Sequence, residues 1–110
     1  MMDMMKMLGK MKDVQAKLKE AQDNLVNVTA SAEAGGGMVK TEVNGKKQII
    51  RLDIDQDLIK PEDKEMLQDL VIAAVNKALE EVEEKAKEAI QESTAGMLPN
   101  IPGFNFGATE

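Results

Sequence analysis

The sequence contains no cysteine and no histidine, and each absence removes a class of chemistry. Without cysteine there is no disulfide framework, no thiolate nucleophile and no cysteine-based zinc site. Without histidine there is no side chain whose unperturbed pKa suits acid–base catalysis near neutral pH. The serine and threonine residues have no recognisable activating partner. Carboxylate pairs such as Asp53 and Asp55 are spaced like strand-end charges rather than like a magnesium site. We therefore expect no enzyme, no metal site and no cofactor.

Aromatic residues are almost as scarce, because the 110 residues include two Phe and neither Trp nor Tyr. Proteins that bind single strands or RNA stack bases on aromatic rings, so this composition disfavours both ligands. A core built from Leu, Ile, Val, Met and Ala alone buries less area per side chain, which leaves a small monomer marginally stable. Self-association is the simplest remedy, and we expect a dimer.

A net charge of −6 argues against a nucleic-acid ligand, but the charges are unevenly distributed. Up to Arg51 the chain carries nine cations and six acids, a balance of +3. After Arg51 five cations meet fourteen acids, a balance of −9. This asymmetry permits a local basic surface on an acidic protein.

Helical periodicity marks residues 4–25, where apolar side chains recur in alternating steps of three and four. Lys10 and Lys17 flank this seam, and Lys12 and Lys19 lie farther round the helix. These lysines are either a solvated face with acidic neighbours or a phosphate-facing surface. The methionines at the start of the helix favour adaptable packing over a soft-metal or membrane patch, since no His or Cys accompanies them.

Period-two alternation from about Asn27 to Glu33 predicts a first strand, and residues 35–37, all glycine, predict a turn out of it. Asn44-Gly45 predicts a two-residue type I′ hairpin that completes a three-stranded antiparallel meander. That turn places Val43 opposite Lys46 and Val39 opposite Ile50. It assigns one face of the hairpin to the core, formed by Val39, Val43, Ile50, Leu52 and Ile54.

A second helix is predicted to begin at Pro61, which suits the first helical position. Its middle, residues 66–82, is apolar around most of its girth, so it requires cover from the sheet and from a second protomer. The helix then becomes acidic. We predict one domain over residues 1–94 and a flexible Gly/Pro-rich tail over residues 95–110.

Several stretches together, residues 35–47, 61–67, 69–78 and 96–103, resemble the YbaB/EbfC family of bacterial nucleoid-associated proteins. The likeness covers nearly the whole chain. It implies an α+β fold with an α-β-β-β-α protomer, a three-stranded antiparallel sheet, long flanking helices and a tweezer-like homodimer. It also implies binding to double-stranded DNA, a role in nucleoid organisation and gene regulation, and a link to recombination or repair proteins.

One departure from the family moves the expected DNA contacts. Residues 80–84 are more acidic here than the Arg/Lys-containing segment of many relatives, so the first helix and the hairpin are the better candidates. The predicted phosphate contacts are Lys10, Lys12, Lys17, Lys19, Lys40, Lys46, Lys47 and Arg51.

We thus expect a cytoplasmic, nucleoid-associated homodimer that binds duplex DNA through backbone phosphates with little sequence preference. The sequence begins on a charged helical pattern without a secretory signal, and no apolar run is long enough to span a bilayer. The alternative is a protein-interaction scaffold linked to recombination or repair that does not itself bind DNA. Attachment to a membrane through the Met-rich helix is disfavoured by the acidic balance.

Overall fold

Two helices flank three strands in the computed structural model, which describes residues 2–94, with side chains from residue 4 onward. Helix α1 spans Met2–Asn24 and helix α2 spans Lys64–Ser93. Between them lie β1 (Thr29–Ala34), β2 (Val39–Asn44) and β3 (Ile49–Ile54). Short 3-10 turns occupy Leu25–Asn27, Gln56–Leu58 and Pro61–Asp63. The α-β-β-β-α order and the α+β class are therefore confirmed, and Pro61 begins the 3-10 turn that leads into α2.

The sheet is an antiparallel meander in which β2 lies between β1 and β3. The turn between β1 and β2 uses three glycines in the left-handed region, with φ of 66°, 67° and 95° at Gly35, Gly36 and Gly37. Such positive φ values are sterically unfavourable for residues with a Cβ, whereas glycine adopts them readily. At Gly35 a Cβ would also approach Leu70 Cδ1 to 2.9 Å. The turn thus needs both the conformational freedom and the small size of glycine.

The second hairpin has a longer turn than the sequence predicts, and its strands pair in a different register. Lys47 N donates to Asn44 O at 2.9 Å, and Lys47 itself is left-handed with φ of 62°. This is a three-residue loop, a type I turn followed by a left-handed residue. Val43 consequently lies opposite Ile49, and a register shift between Glu42 and Val43 then places Val39 opposite Ile54. The predicted type I′ turn and its register are wrong.

The reason lies outside the hairpin. Gly45 is not left-handed; its N–H donates to Leu25 O at 2.9 Å, and a Cβ there would lie 2.7 Å from the same oxygen. Glycine is therefore required by the close approach of the 3-10 turn after α1 and not by a type I′ dihedral. The corrected register also changes the assignment of faces, because directly opposed residues share a face. Ile49 joins the face of Val43 in place of Ile50, which falls at the register shift. Leu52, opposite Thr41, and Ile54, opposite Val39, keep the predicted face, but Leu52 is exposed and not part of the core.

The described residues form two compact units, one with α1 and the end of α2 from Lys87, the other with Leu25–Ala86. In the second unit α2 packs on the sheet through small side chains. Val39 and Val43 of β2 are fully buried against Ala74, Ala78 and Val82. Full burial of each valine contributes roughly 1.5–3 kcal/mol. Ile72 and Met66, on the same helix, remain exposed, so the sheet covers only part of its apolar girth.

In the first unit, α1 is covered along part of its length. Ala21 is buried, Val14 and Leu18 are half-buried, and the methionines toward the start of the helix are exposed. A small cavity lined by Lys17, Glu20, Ala21, Asn24 and Ser93 brings the end of α2 beside this covered part. The predicted tail, residues 95–110, lies outside the described residues.

Candidate nucleic-acid interface

The α1 lysines form two lines along an exposed helix. Lys10 and Lys17 are seven residues apart, as are Lys12 and Lys19, and seven residues of α-helix rise about 10.5 Å. All four side chains are exposed. Lys17 Nζ lies 3.9 Å from Glu20 Oε2, a surface pair of little energetic weight. In the described part of the chain no carboxylate oxygen lies within 4 Å of the amines of the other three.

The β2–β3 loop presents two more cations on a rigid base. Asn44 is buried, and its Oδ1 accepts from Lys46 N at 2.9 Å and from Gln48 N at 3.1 Å. Its Nδ2 donates to Gln48 Oε1 at 2.8 Å. These bonds fix the loop backbone, because the asparagine side chain replaces the strand ladder where pairing ends. Lys46 and Lys47 are exposed at the tip, and neither forms an ion pair with a described residue.

The polar face of the sheet is charge-balanced. Lys40 lies opposite Glu33 on one side and Asp53 on the other. Arg51 lies opposite Glu42, and its Nε donates to Asp53 Oδ2 at 2.8 Å. Opposite charges across strands stabilise the sheet locally. With two cations and three carboxylates this face carries no positive excess.

The late part of α2 adds no basic surface. Its charges are mainly acidic, and Lys85 donates from Nζ to Thr29 O at 3.0 Å, which ties the helix to the first strand. That the acidic helix is a poor DNA contact stays a prediction.

Two sequence predictions about ligands can be compared with the described residues only. Across residues 4–94 no group of three or more His, Cys, Asp and Glu side chains is arranged to hold a metal ion. Over the same part of the chain, neither helix has the length and apolarity required to cross a membrane.

The eight predicted contacts therefore fall into three groups. The α1 lysines and the loop lysines are exposed and lack close carboxylates, apart from the loose pair of Lys17, whereas Lys40 and Arg51 lie among acids. Lys6, which the prediction omitted, is exposed one helical turn before Lys10, and that four-residue spacing was the available signal. The role of Asn44 as the organiser of the loop was also missed, since the sequence pattern suggested only a turn residue.

The fold and these surfaces define a class: a small α+β protein that presents cations from a helix and a hairpin loop. A family model described as the YbaB/EbfC DNA-binding family matches residues 1–97. The chain belongs to this family, which confirms the resemblance inferred from the sequence.

Curated relatives support the same conclusion over nearly the full length. A nucleoid-associated protein of Bartonella bacilliformis is 43% identical over 106 residues, covering 96% of this chain and 97% of the relative. Another, from Oceanobacillus iheyensis, is 42% identical over 102 residues, covering 93% and 96%. Among solved structures, an uncharacterized protein from Helicobacter pylori matches with a TM-score of 0.65 and 28% identity, covering 74% of this chain and 86% of that one. The protein is thus a member of a DNA-binding family whose curated relatives are nucleoid-associated.

Proposed function

We propose that the protein binds double-stranded DNA through backbone phosphates, with little sequence preference, and thereby influences nucleoid organisation and gene expression in the cytoplasm. Lysines that reach phosphates neutralise charge and release counterions without reading bases. The described residues offer no recognition helix lined with base-reading side chains and no aromatic platform.

The observation that carries the proposal is the set of exposed α1 lysines without tight acidic partners. A lysine already held by a carboxylate must lose that interaction before it binds a phosphate, whereas an unpaired lysine need not. We therefore assign the main contacts to Lys10, Lys12, Lys17 and Lys19, with Lys46 and Lys47 as a second group. Lys40 and Arg51, which lie among carboxylates on the sheet face, contribute less.

The test is a comparison of two matched double variants in binding to random-sequence duplex across a salt series. Lys12→Gln with Lys19→Gln removes two unpaired cations, and Lys40→Gln with Arg51→Gln removes two balanced ones. We expect the first variant to bind roughly tenfold more weakly and to lose about 0.9 from the log–log salt slope for each phosphate contact removed. The second should bind nearly as well as the parent protein.

Three results would contradict this assignment. Equal losses in the two variants would show that local charge pairing does not select the contacts. Binding that is insensitive to salt, or that is undetectable at low salt, would reject the electrostatic mechanism itself. Circular dichroism of both variants verifies that each remains folded.

We also propose that the protein acts as a homodimer. Large apolar side chains of the second unit are exposed: Ile49 of β3 is 52% exposed, Leu52 of β3 is 43% exposed and Ile72 of α2 is 58% exposed. Strand β3 pairs with β2 alone in the described sheet, so its other edge has free backbone groups. Large exposed aliphatic side chains beside an open strand edge are typical of a protein–protein interface. A second copy would duplicate every lysine group and raise the affinity of a weak site by avidity.

A further inference from the structure

The apolar seam of α1 extends beyond the part of the helix that is covered. Its described members recur at the heptad spacing of a packed helix, and their exposure rises steadily toward the beginning of the helix. Ala21 is 5% exposed and Val14 and Leu18 are half-buried, whereas Met11, Met7 and Met4 are 56%, 64% and 70% exposed. Leu8, which flanks the seam, is exposed as well. The same stripe that packs in its second half is therefore bare in its first half.

The end of α2 lies beside the second half of α1. Ser93 is the last residue of α2, and it lines the small cavity together with Lys17, Ala21 and Asn24. Thr94 follows, is buried, and donates from its hydroxyl to Ile90 O at 2.9 Å. The chain after Thr94 thus starts beside the second half of α1, and Lys17 there is about 9 Å of helix rise from Met11, where the exposed part of the seam begins.

The sequence after Thr94 is suited to this stripe. Residues 95–110 contain no Lys or Arg, include both aromatic residues of the protein and have two prolines, Pro99 and Pro102. The prolines disfavour another helix and favour an extended segment. Large apolar side chains recur along it, namely Met97, Leu98, Ile101, Phe104 and Phe106.

The segment after Thr94 is also long enough to reach the exposed part of the seam. From Lys17 back to Met4 the helix rises about 20 Å, and ten residues of extended chain span roughly 33 Å. A segment that starts at Thr94 therefore reaches the whole bare stretch with residues to spare. Methionine side chains adapt to irregular surfaces and contact aromatic rings favourably, so a Met-lined stripe suits the two phenylalanines.

We propose that residues 97–106 dock along the bare α1 seam of their own chain, with Phe104 and Phe106 packed against Met4, Met7 and Met11. This contact uses the seam itself and leaves Lys12 and Lys19, on the other side of the helix, open. Because Lys10 and Lys17 flank the seam, the docked segment would lie beside two of the proposed DNA contacts, whereas it uses no residue of the dimer surface on β3.

The absence of tryptophan provides a direct test in the full-length protein. Phe104→Trp introduces a single tryptophan into the segment proposed to dock. Docking should shift the tryptophan emission to the blue and reduce its quenching by acrylamide. Adding Met7→Asp, on the seam, should abolish the shift and the protection. Adding Met5→Asp, an exposed methionine off the seam, should leave both unchanged. Since Met5 and Met7 are both exposed, neither change removes a buried contact, and circular dichroism verifies that the helices persist.

A second measurement follows the seam instead of the tail. In the parent protein, Met7 and Met11 should be oxidised by peroxide more slowly than Met5, and the double variant Phe104→Asp with Phe106→Asp should remove that difference. Solvent-like emission that Met7→Asp does not alter would overturn the proposal. So would protection of Met7 and Met11 that disappears on dilution, because it would assign the seam to a second copy of the chain.

Discussion

At the scale of single residues, Gly45 shows how a contact distant in sequence determines what a local pattern means. Asn44-Gly45 is a hairpin signal in any sequence, but here the glycine is required because the carbonyl of Leu25 lies against its Cα. The turn type is consistent with that packing and with the hydrogen bonds that the Asn44 side chain accepts from the loop, and the Asn-Gly pattern alone predicts neither. The hairpin could be predicted from the sequence, whereas its register could not.

Replacing Gly45 by alanine tests this interpretation. The added Cβ would lie 2.7 Å from Leu25 O, so the hydrogen bond between the two backbones must lengthen. We expect Gly45→Ala to lower the free energy of unfolding by about 2 kcal/mol, the usual cost of such overpacking. Gly9→Ala is the matched control, because nothing lies within 4 Å of a Cβ at this helical position. Gly9→Ala should raise the free energy of unfolding by roughly 1 kcal/mol, because alanine has a higher helix propensity than glycine. Urea unfolding measures both, and a neutral Gly45→Ala would contradict the close approach.

Lys47 is a residue at which conformational strain coincides with the proposed function. It is the one described non-glycine residue with positive φ, at the tip of the loop. A left-handed side chain costs roughly 1–2 kcal/mol, and such strain is commonly retained where a side chain is needed. The lysine in this place is consistent with a role for its charge.

Two loop variants separate the strain from the charge. In Lys47→Gly the relief of strain outweighs the added entropy of the unfolded glycine, so we expect a gain of about 0.5 kcal/mol in unfolding free energy. Lys46→Gly has no strain to relieve and should lose about 0.5 kcal/mol. Both variants remove one cation from the tip and should weaken duplex binding by similar factors in a shift assay. If Lys47→Gly also destabilises the protein, the left-handed residue is not strained.

At the scale of elements, both helices and all three strands could be predicted because each has a strong local signal. Local sequence patterns are sufficient to recognise the apolar seam of α1, the alternation in β1 and the turn residues before β2. Burial was harder. Ala74, Ala78 and Val82 are the buried residues of α2, while the larger Ile72 on the same helix is exposed. Small residues mark close approach between layers, and periodicity alone does not distinguish that face from an equally apolar neighbour.

Prediction of the candidate site from the sequence is limited in a similar way. The candidate cations can be listed from the sequence, but their pairing with carboxylates across strands depends on the register. With the register of the structure, Lys40 lies between Glu33 and Asp53, and Arg51 lies opposite Glu42. The predicted register placed Lys40 opposite Ile49 instead, so the balanced face of the sheet was not foreseeable. On α1 the helical repeat alone defines the neighbours, and there the sequence was sufficient to identify an exposed basic surface.

At the scale of the whole molecule, the proposed homodimer would make stability and DNA binding both depend on the exposed apolar side chains of β3 and α2. Burying Ile49, Leu52 and Ile72 in a dimer contributes roughly 1.5 kcal/mol or more for each side chain. A small domain without a large aromatic core benefits strongly from such a contribution. In the proposed homodimer, the same association would bring two sets of lysines to one duplex and would strengthen weak single contacts by avidity.

The last prediction concerns this dependence. Ile49→Asp with Leu52→Asp places two charges on the open surface of β3, where both side chains are already half exposed in the single chain. We expect the solution mass by light scattering to fall from that of a dimer to that of a monomer, and duplex affinity to fall with it, although every lysine is retained. Val26→Asp, at an exposed apolar residue outside β3 and α2, is the control and should leave both quantities unchanged. A charged double variant that remains dimeric would show that the interface lies elsewhere. A monomer that binds duplex as tightly as the parent protein would show that the lysines of one chain suffice and that avidity contributes nothing.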